Sequence, residues 1–167
     1  KNISITNNRF LNKNGTIISI ARGANLKIDR NNFYSYLYFN PSSAYAIQLN
    51  GSITSKIEVT NNIINLRNYN QGINYSGNGQ PYDKSLFANN MVSIIGPNAG
   101  YCFFFQGSKN VKLVYNSAVV DSGSASGAVL YAPETGSELY NNAIYNKGNG
   151  NAVYFGNSGY YSDYNNF

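Results

Sequence analysis

The chain has 167 residues, enough for one domain with a core, and a net charge of +5. Charged residues make up only 11% against about 25% in ordinary globular chains, while aromatics reach 15%, a combination that excludes disorder. The twelve basic residues form no run and no stretch of 18 apolar residues occurs, so neither a nucleic-acid partner nor a membrane span is expected.

Asn, Gly, Ser, Tyr and β-branched residues dominate and helix formers are scarce, so the elements are read as strands. From the N-terminus, ITNNRF (5–10) reads as strand, tight asparagine turn, strand, and TIISI (16–20) as a third short strand. IDRNNF (28–33) repeats the first phrase, with Arg30 in the first Asn place and Asn31 in the second. YSYLYFNPSS (34–43) is turn material rich in rings, and YAIQL (45–49) is again a third strand. VTNNII (59–64) is followed by QGINY (71–75) and the turn GNGQP (77–81). FANNMV (87–92) precedes GYCFF (100–104); VYNSAV (114–119) and the turn DSGSASG (121–127) precede GAVLY (127–131). LYNNAI (139–144), NAVYF (151–155) and DYNNF (163–167) close the series, the last with Asp163 where an apolar, inward residue is expected.

Six Asn-Asn pairs among thirty asparagines are close to chance, so the flanks carry the signal: apolar, any, Asn, Asn or Ser, any, apolar. The aligned second places are Asn8, Asn31, Asn62, Asn90, Ser117, Asn142 and Asn166, at steps of 23 to 31 residues. The irregularity falls in the turns. A unit of this kind buries its apolar stripe only by stacking on its neighbours, which makes the chain a solenoid. Asn tolerates the positive φ of a tight corner better than any residue but Gly. Coils stacked about 4.8 Å apart also let one Asn amide bond the next, as a structural ladder through the aligned places.

On these residues the chain resembles the right-handed parallel β-helix, the pectin-lyase-like repeat family of secreted bacterial polysaccharide-active and surface proteins. The resemblance implies an all-β solenoid of about six coils of three short strands, with an asparagine ladder between the second and third sheets. It spans residues 1–167 as one domain, expected to be a piece of a longer secreted or cell-surface bacterial protein.

Alternation then assigns the interior. In the first sheet the inward residues are Ile18, Ile20, Ile47, Leu49, Ile73, Tyr75, Cys102, Phe104, Val129, Tyr131, Val153 and Phe155. In the second they include Leu26, Ile28, Ile57, Val59, Phe87, Val114 and Leu139, and in the third Phe10, Phe33, Ile64, Leu66, Val92, Ile94, Val119 and Ile144. Cys102 is read as a small buried residue; with one Cys and no His, neither a disulfide nor a Cys–His pair can form. The register at FFF (103–105) is open by one residue; with Cys102 and Phe104 inward, Phe103 and Phe105 face out towards Tyr154, and the ring-rich turn adds Tyr34, Tyr36 and Tyr38. Aromatic rings on an uncharged, amide-rich surface suit sugars, so these six residues are the candidate binding set and a polysaccharide or cell-surface glycan the candidate partner.

No catalytic residue, cofactor or metal site is assigned. Hydrolases need two opposed carboxylates, and of the seven acids Asp29 and Glu58 come near each other only at offset places, among Lys27, Arg30 and Lys56. Lys56 and Lys84 share one aligned place as candidate bases of a lyase, without a visible carboxylate or metal partner. The expectation is therefore a non-catalytic glycan- or surface-binding module. The alternatives are part of a polysaccharide lyase or hydrolase, and a unit stacking end to end through open coil ends.

Overall fold

The computed structural model describes residues 2–12, 15–22, 25–36, 44–50, 56–96, 100–121 and 128–167. Tyr38, one of the candidate binding residues, lies outside them. Among the described residues there is no helix; strands follow one another in triplets. The first triplets are β1 (Ile3–Thr6), β2 (Arg9–Asn12), β3 (Ile18–Ile20); β4 (Leu26–Asp29), β5 (Asn32–Tyr36), β6 (Tyr45–Asn50); and β7 (Ile57–Thr60), β8 (Ile63–Arg67), β9 (Gln71–Ser76). Next come β10 (Ser85–Ala88), β11 (Met91–Ile95), β12 (Tyr101–Phe104); β13 (Val111–Val114), β14 (Ser117–Asp121), β15 (Ala128–Tyr131); and β16 (Glu138–Tyr140), β17 (Ala143–Asn146), β18 (Asn151–Tyr154). A last strand, β19 (Tyr161–Asp163), sits on β16.

Each strand pairs, in parallel, with the strand three places on, so the triplets stack into three sheets of six, seven and six strands: the first (β3 to β18), second (β1 to β19) and third (β2 to β17). This is a parallel β-helix, and every coil lies one strand spacing, about 4.8 Å, from the next.

The corner between the second and third sheets is the same in every coil. One residue at positive φ (Asn7, Arg30, Asn61, Asn89, Tyr115, Asn141 or Tyr164, at 53° to 57°) makes the turn. The next residue is always Asn, and its side chain turns into the stack. Asn62 shows the pattern. Its backbone N–H and its Nδ2 both donate to Asn90 Oδ1, at 3.1 and 2.9 Å, and Nδ2 also donates to Ile28 O of the preceding coil at 3.0 Å. The column runs Asn8, Asn31, Asn62, Asn90, Asn116, Asn142, Asn165, through the same pair of bonds at each step. Interior rungs are buried, and the Nδ2 of each also donates to a strand carbonyl of the coil before, so the buried amide is satisfied on both sides.

Two rungs differ from the aligned places. Ser117 and Asn166 lie one residue past the corner, on the exposed side, while Asn116 and Asn165 hold the column. The reason is that Tyr115 and Tyr164 take the positive-φ place, as Arg30 does, so the frame in those coils reads Tyr-Asn rather than Asn-Ser or Asn-Asn. A one-residue slip exchanges the two faces of a strand. Accordingly Leu113, Ala118 and Val120 fill the interior, at the register of Phe87, Val92 and Ile94. Val114 lies at the outward place of Thr60 and Ala88 though still nearly buried, and Val119 is half-exposed. Asp163 shares the outward column of Tyr140 and is no break in the interior; its Oδ1 accepts the Tyr164 N–H at 2.9 Å.

The first sheet slips too. Register joins Ile18, Ile47, Ile73, Phe103, Leu130 and Val153, so Phe103 points in and Phe104 out. Phe103 and Phe105 are fully buried and pack with Tyr75 and Phe87 as a ring cluster, which removes both from the candidate binding set. Tyr131 and Phe155, also assigned inward, are half-buried and exposed. Cys102 is buried as expected, in a row of small residues (Ala46, Gly72, Val129) that the register sets at one height beside the third sheet. A Cβ on Gly72 would meet Cys102 O and Val92 Cγ1 at 2.6 Å, so that row is small because the neighbouring sheet crowds it. Burial pushes the Cys102 thiol far up, and it carries no nucleophile.

Candidate functional site

The outer face of the first sheet carries one row through all six strands: Ser19, Gln48, Asn74, Phe104, Tyr131, Tyr154. Its two halves differ chemically. In the later coils the rings follow one another along the helix axis, tilted against each other: Phe104 to Tyr131 at 5.1 Å between centroids and 57° between planes, Tyr131 to Tyr154 at 4.9 Å and 50°. Tyr101 stands beside them, 4.8 Å from Phe104, edge-on. In-register parallel strands force this spacing, because identical outward places recur at each strand repeat. The rings are half-buried against one another, and Tyr154 is the most open at 45%. Burial, together with Tyr131 and Tyr154 nearby, raises the Tyr101 hydroxyl above its ordinary value, so it remains a neutral donor.

In the earlier coils the row is hydroxyl and amide. Ser19 Oγ donates to Gln48 Oε1 at 3.2 Å, and Asn74 Nδ2 donates to Gln71 Oε1 at 2.7 Å. These bonds hold the amides in place; Asn74 is nearly buried, while Ser19 is exposed and Gln48 partly so, and these two face outward with donors and acceptors.

Of the residues singled out from sequence, Tyr154 belongs to this row. Tyr34 and Tyr36 do not join it. They lie on the outer face of the third sheet, Tyr34 exposed and Tyr36 under the guanidinium of Arg67, 5.3 Å from the ring centroid. They line a shallow cleft of about 290 Å³ with Asn65, Arg67 and Ile95. It adjoins a larger one of about 630 Å³, whose floor is Ser93, Ser117, Val119 and Ala143 and whose walls include Met91 and Tyr145. That hollow exists because small residues fall at successive places of two neighbouring outward rows.

Phe104, Tyr131 and Tyr101 are the members that sequence reading missed. The signal was present: Tyr131 and Tyr154 end two aligned phrases, and placing both outward requires Phe104, rather than Phe103, to precede them.

The second sheet's outer face holds the charges. Lys56 Nζ lies 3.0 Å from Glu58 Oε1, Lys84 is bonded to Glu138, and Lys112 lies 3.7 Å from the same carboxylate. Lys56 and Lys84 do sit at one aligned place, above a cleft of about 410 Å³. Their carboxylate partners, however, work against lyase chemistry. Glu58 raises the Lys56 pKa, whereas a lysine base needs it lowered. The Lys84 hydrogen bond holds Glu138 below its ordinary value, whereas a general acid needs it raised. Asp29 is nearly buried, not solvated: Thr60 Oγ1 and Asn61 Nδ2 each donate to its Oδ1 at 2.8 Å. Although burial pulls the other way, these bonds with Arg30 and Lys27 hold its carboxyl below the usual range. It serves the corner, not a reaction.

Comparison of the chain with protein-family models, curated proteins and solved structures finds no match.

Proposed function

We propose that the chain is a non-catalytic β-helix module of the pectin-lyase-like kind, secreted or displayed at a bacterial cell surface, that binds glycan through the outer face of its first sheet. The observation that carries this reading is the Phe104–Tyr131–Tyr154 row, three half-buried rings held at 4.9 to 5.1 Å intervals on the surface. Rings aligned in a row on a rigid sheet offer apolar area at little entropic cost, and the neighbouring amides supply hydrogen bonds to hydroxyls. On the charged face the Lys56 pKa is shifted up by Glu58 and that of Glu138 down by Lys84, the directions opposite to those of a catalytic base and acid.

Retention on a glycan array tests the reading. The chain is expected to be retained, and Tyr154→Ala or Phe104→Ala to abolish retention while leaving the melting temperature within a few degrees. Retention that survives both substitutions, or is lost instead with Tyr145→Ala, would move the site to the third sheet's cleft.

A further inference from the structure

We infer, resting on the glycan-binding reading, that the ligand class is an uncharged linear polysaccharide lying lengthwise along the helix axis on the first sheet. Two observations carry this. The first is charge. None of the six strands of that sheet contains Asp, Glu, Lys or Arg: they read ISI, YAIQLN, QGINYS, YCFF, AVLY and NAVY. The second sheet places Lys27, Glu58, Lys112 and Glu138 in a single outward row, and the third carries Arg9, Arg67 and Asp121. In a chain with net charge +5 the strands of this face therefore carry no charge, while those of the other two sheets do. A uronic-acid polymer would bring a carboxylate to every few ångströms of contact and find no cation there to pair with, at the cost of its desolvation. A neutral sugar polymer presents ring faces and hydroxyls, which are what rings and amides accept.

The second observation is direction. The row from Ser19 to Tyr154 crosses five strand steps, about 24 Å, along the axis. Across the axis the face is one strand wide, three to six residues, and β12, β15 and β18 present only one or two outward rings each. A chain lying across the sheet would meet at most two rings, Tyr101 and Phe104 of β12, and then a turn. A chain lying along it meets Tyr154, Tyr131 and Phe104 in turn and then, past the nearly buried Asn74, the Gln48 amide and the Ser19 hydroxyl. The two halves divide the work: rings stack on sugar faces, and amides bond the hydroxyls of the same polymer further along.

The test is affinity electrophoresis of the 167-residue chain in gels containing either a neutral polysaccharide (β-glucan, xylan, mannan) or a uronic-acid one (polygalacturonate, alginate), at low and high salt. It is followed by titration with neutral oligosaccharides of increasing length. We expect retardation by a neutral polymer that salt does not relieve, at least tenfold weaker in Tyr131→Ala, and largely kept in Tyr131→Phe, which preserves the ring. Affinity should rise with oligosaccharide length until the row is spanned. Lys112→Ala, on the charged face, should change nothing. Retention by uronic-acid polymers alone, dependent on Tyr131, would overturn the neutral class and leave glycan binding standing. Affinity independent of oligosaccharide length would overturn the lengthwise pose. No retention by any polymer would sink this inference and the function it rests on together. Circular dichroism of each variant separates lost binding from lost fold.

Discussion

The first and second sheets share one backbone geometry, and their outer faces differ in almost everything else. On the second, consecutive coils set Lys27 beside Glu58 and Lys112 beside Glu138, and ion pairs within a coil (Lys27–Asp29, Lys56–Glu58) and between coils (Lys84 and Lys112 with Glu138) use up the charges inside the protein. On the first, consecutive coils set ring on ring and amide beside amide, with no charge in any strand. A stack with a repeat of about 4.8 Å copies whatever stands at a place onto the next coil, so like charges would repel and opposite ones pair. One face is electrostatically self-contained, whereas the other keeps apolar area and hydrogen-bonding groups in reserve. The difference teaches where to look for function on a solenoid: at the row whose groups are not used up by their own neighbours.

The comparison can be broken most severely at the corner that holds the coils in common register. Asn90→Leu removes the acceptor of the Asn62 N–H and Nδ2, and the Nδ2 that donates to Val59 O and Asn116 Oδ1, all buried, while the backbone N–H to Asn116 Oδ1 stays. Each orphaned group costs about 1–3 kcal/mol, so a loss of about 3 kcal/mol or more is expected in chemical denaturation, with both faces affected alike. Gly72→Ala should come next, about 1–3 kcal/mol by the same measurement, because the added Cβ meets Cys102 O and Val92 Cγ1. It disturbs the first sheet while leaving the charged face in place. Lys84→Ala should cost under about 1 kcal/mol, since its partner carboxylate keeps Lys112 and access to water.

A pH titration sharpens the contrast. Glu138 has a folded-state pKa below its unfolded value, set first by the Lys84 hydrogen bond. Its contribution is present above the ordinary glutamate range and is lost as pH falls through the lowered value, so thermal stability should decline below about pH 4. Glu138→Gln should flatten part of that decline. Glycan retention, on a face without acid, amine or imidazole, should not follow it down to the point of unfolding. The smallest effect expected is a gain: Tyr115→Asn relieves a bulky residue at φ 57° and should raise stability by about 1 kcal/mol in melting experiments.

Much of the fold was legible because the corner repeats an asparagine with apolar flanks. Five of the seven ladder places, Asn8, Asn31, Asn62, Asn90 and Asn142, follow from that frame. Asn116 and Asn165 did not, since Asn-Ser and Asn-Asn look like the corner pair while the residue at positive φ is the tyrosine before them. The candidate site was less legible. CFFF offers apolar residues at four successive positions, so alternation has no phase there, and the outward ring was placed one residue off.

By itself the sequence determined a parallel solenoid, the class of residue at its corners and the absence of charge from one set of strands, because these depend on local preference and on repetition. Only the tertiary structure decided which residue of each near-match enters the ladder, which phenylalanine faces water and which rings share a row. Those outcomes are set by register between coils 23 to 31 residues apart, where a shift of one place turns a strand over. The bonds from each Asn to the next coil are what fix that register.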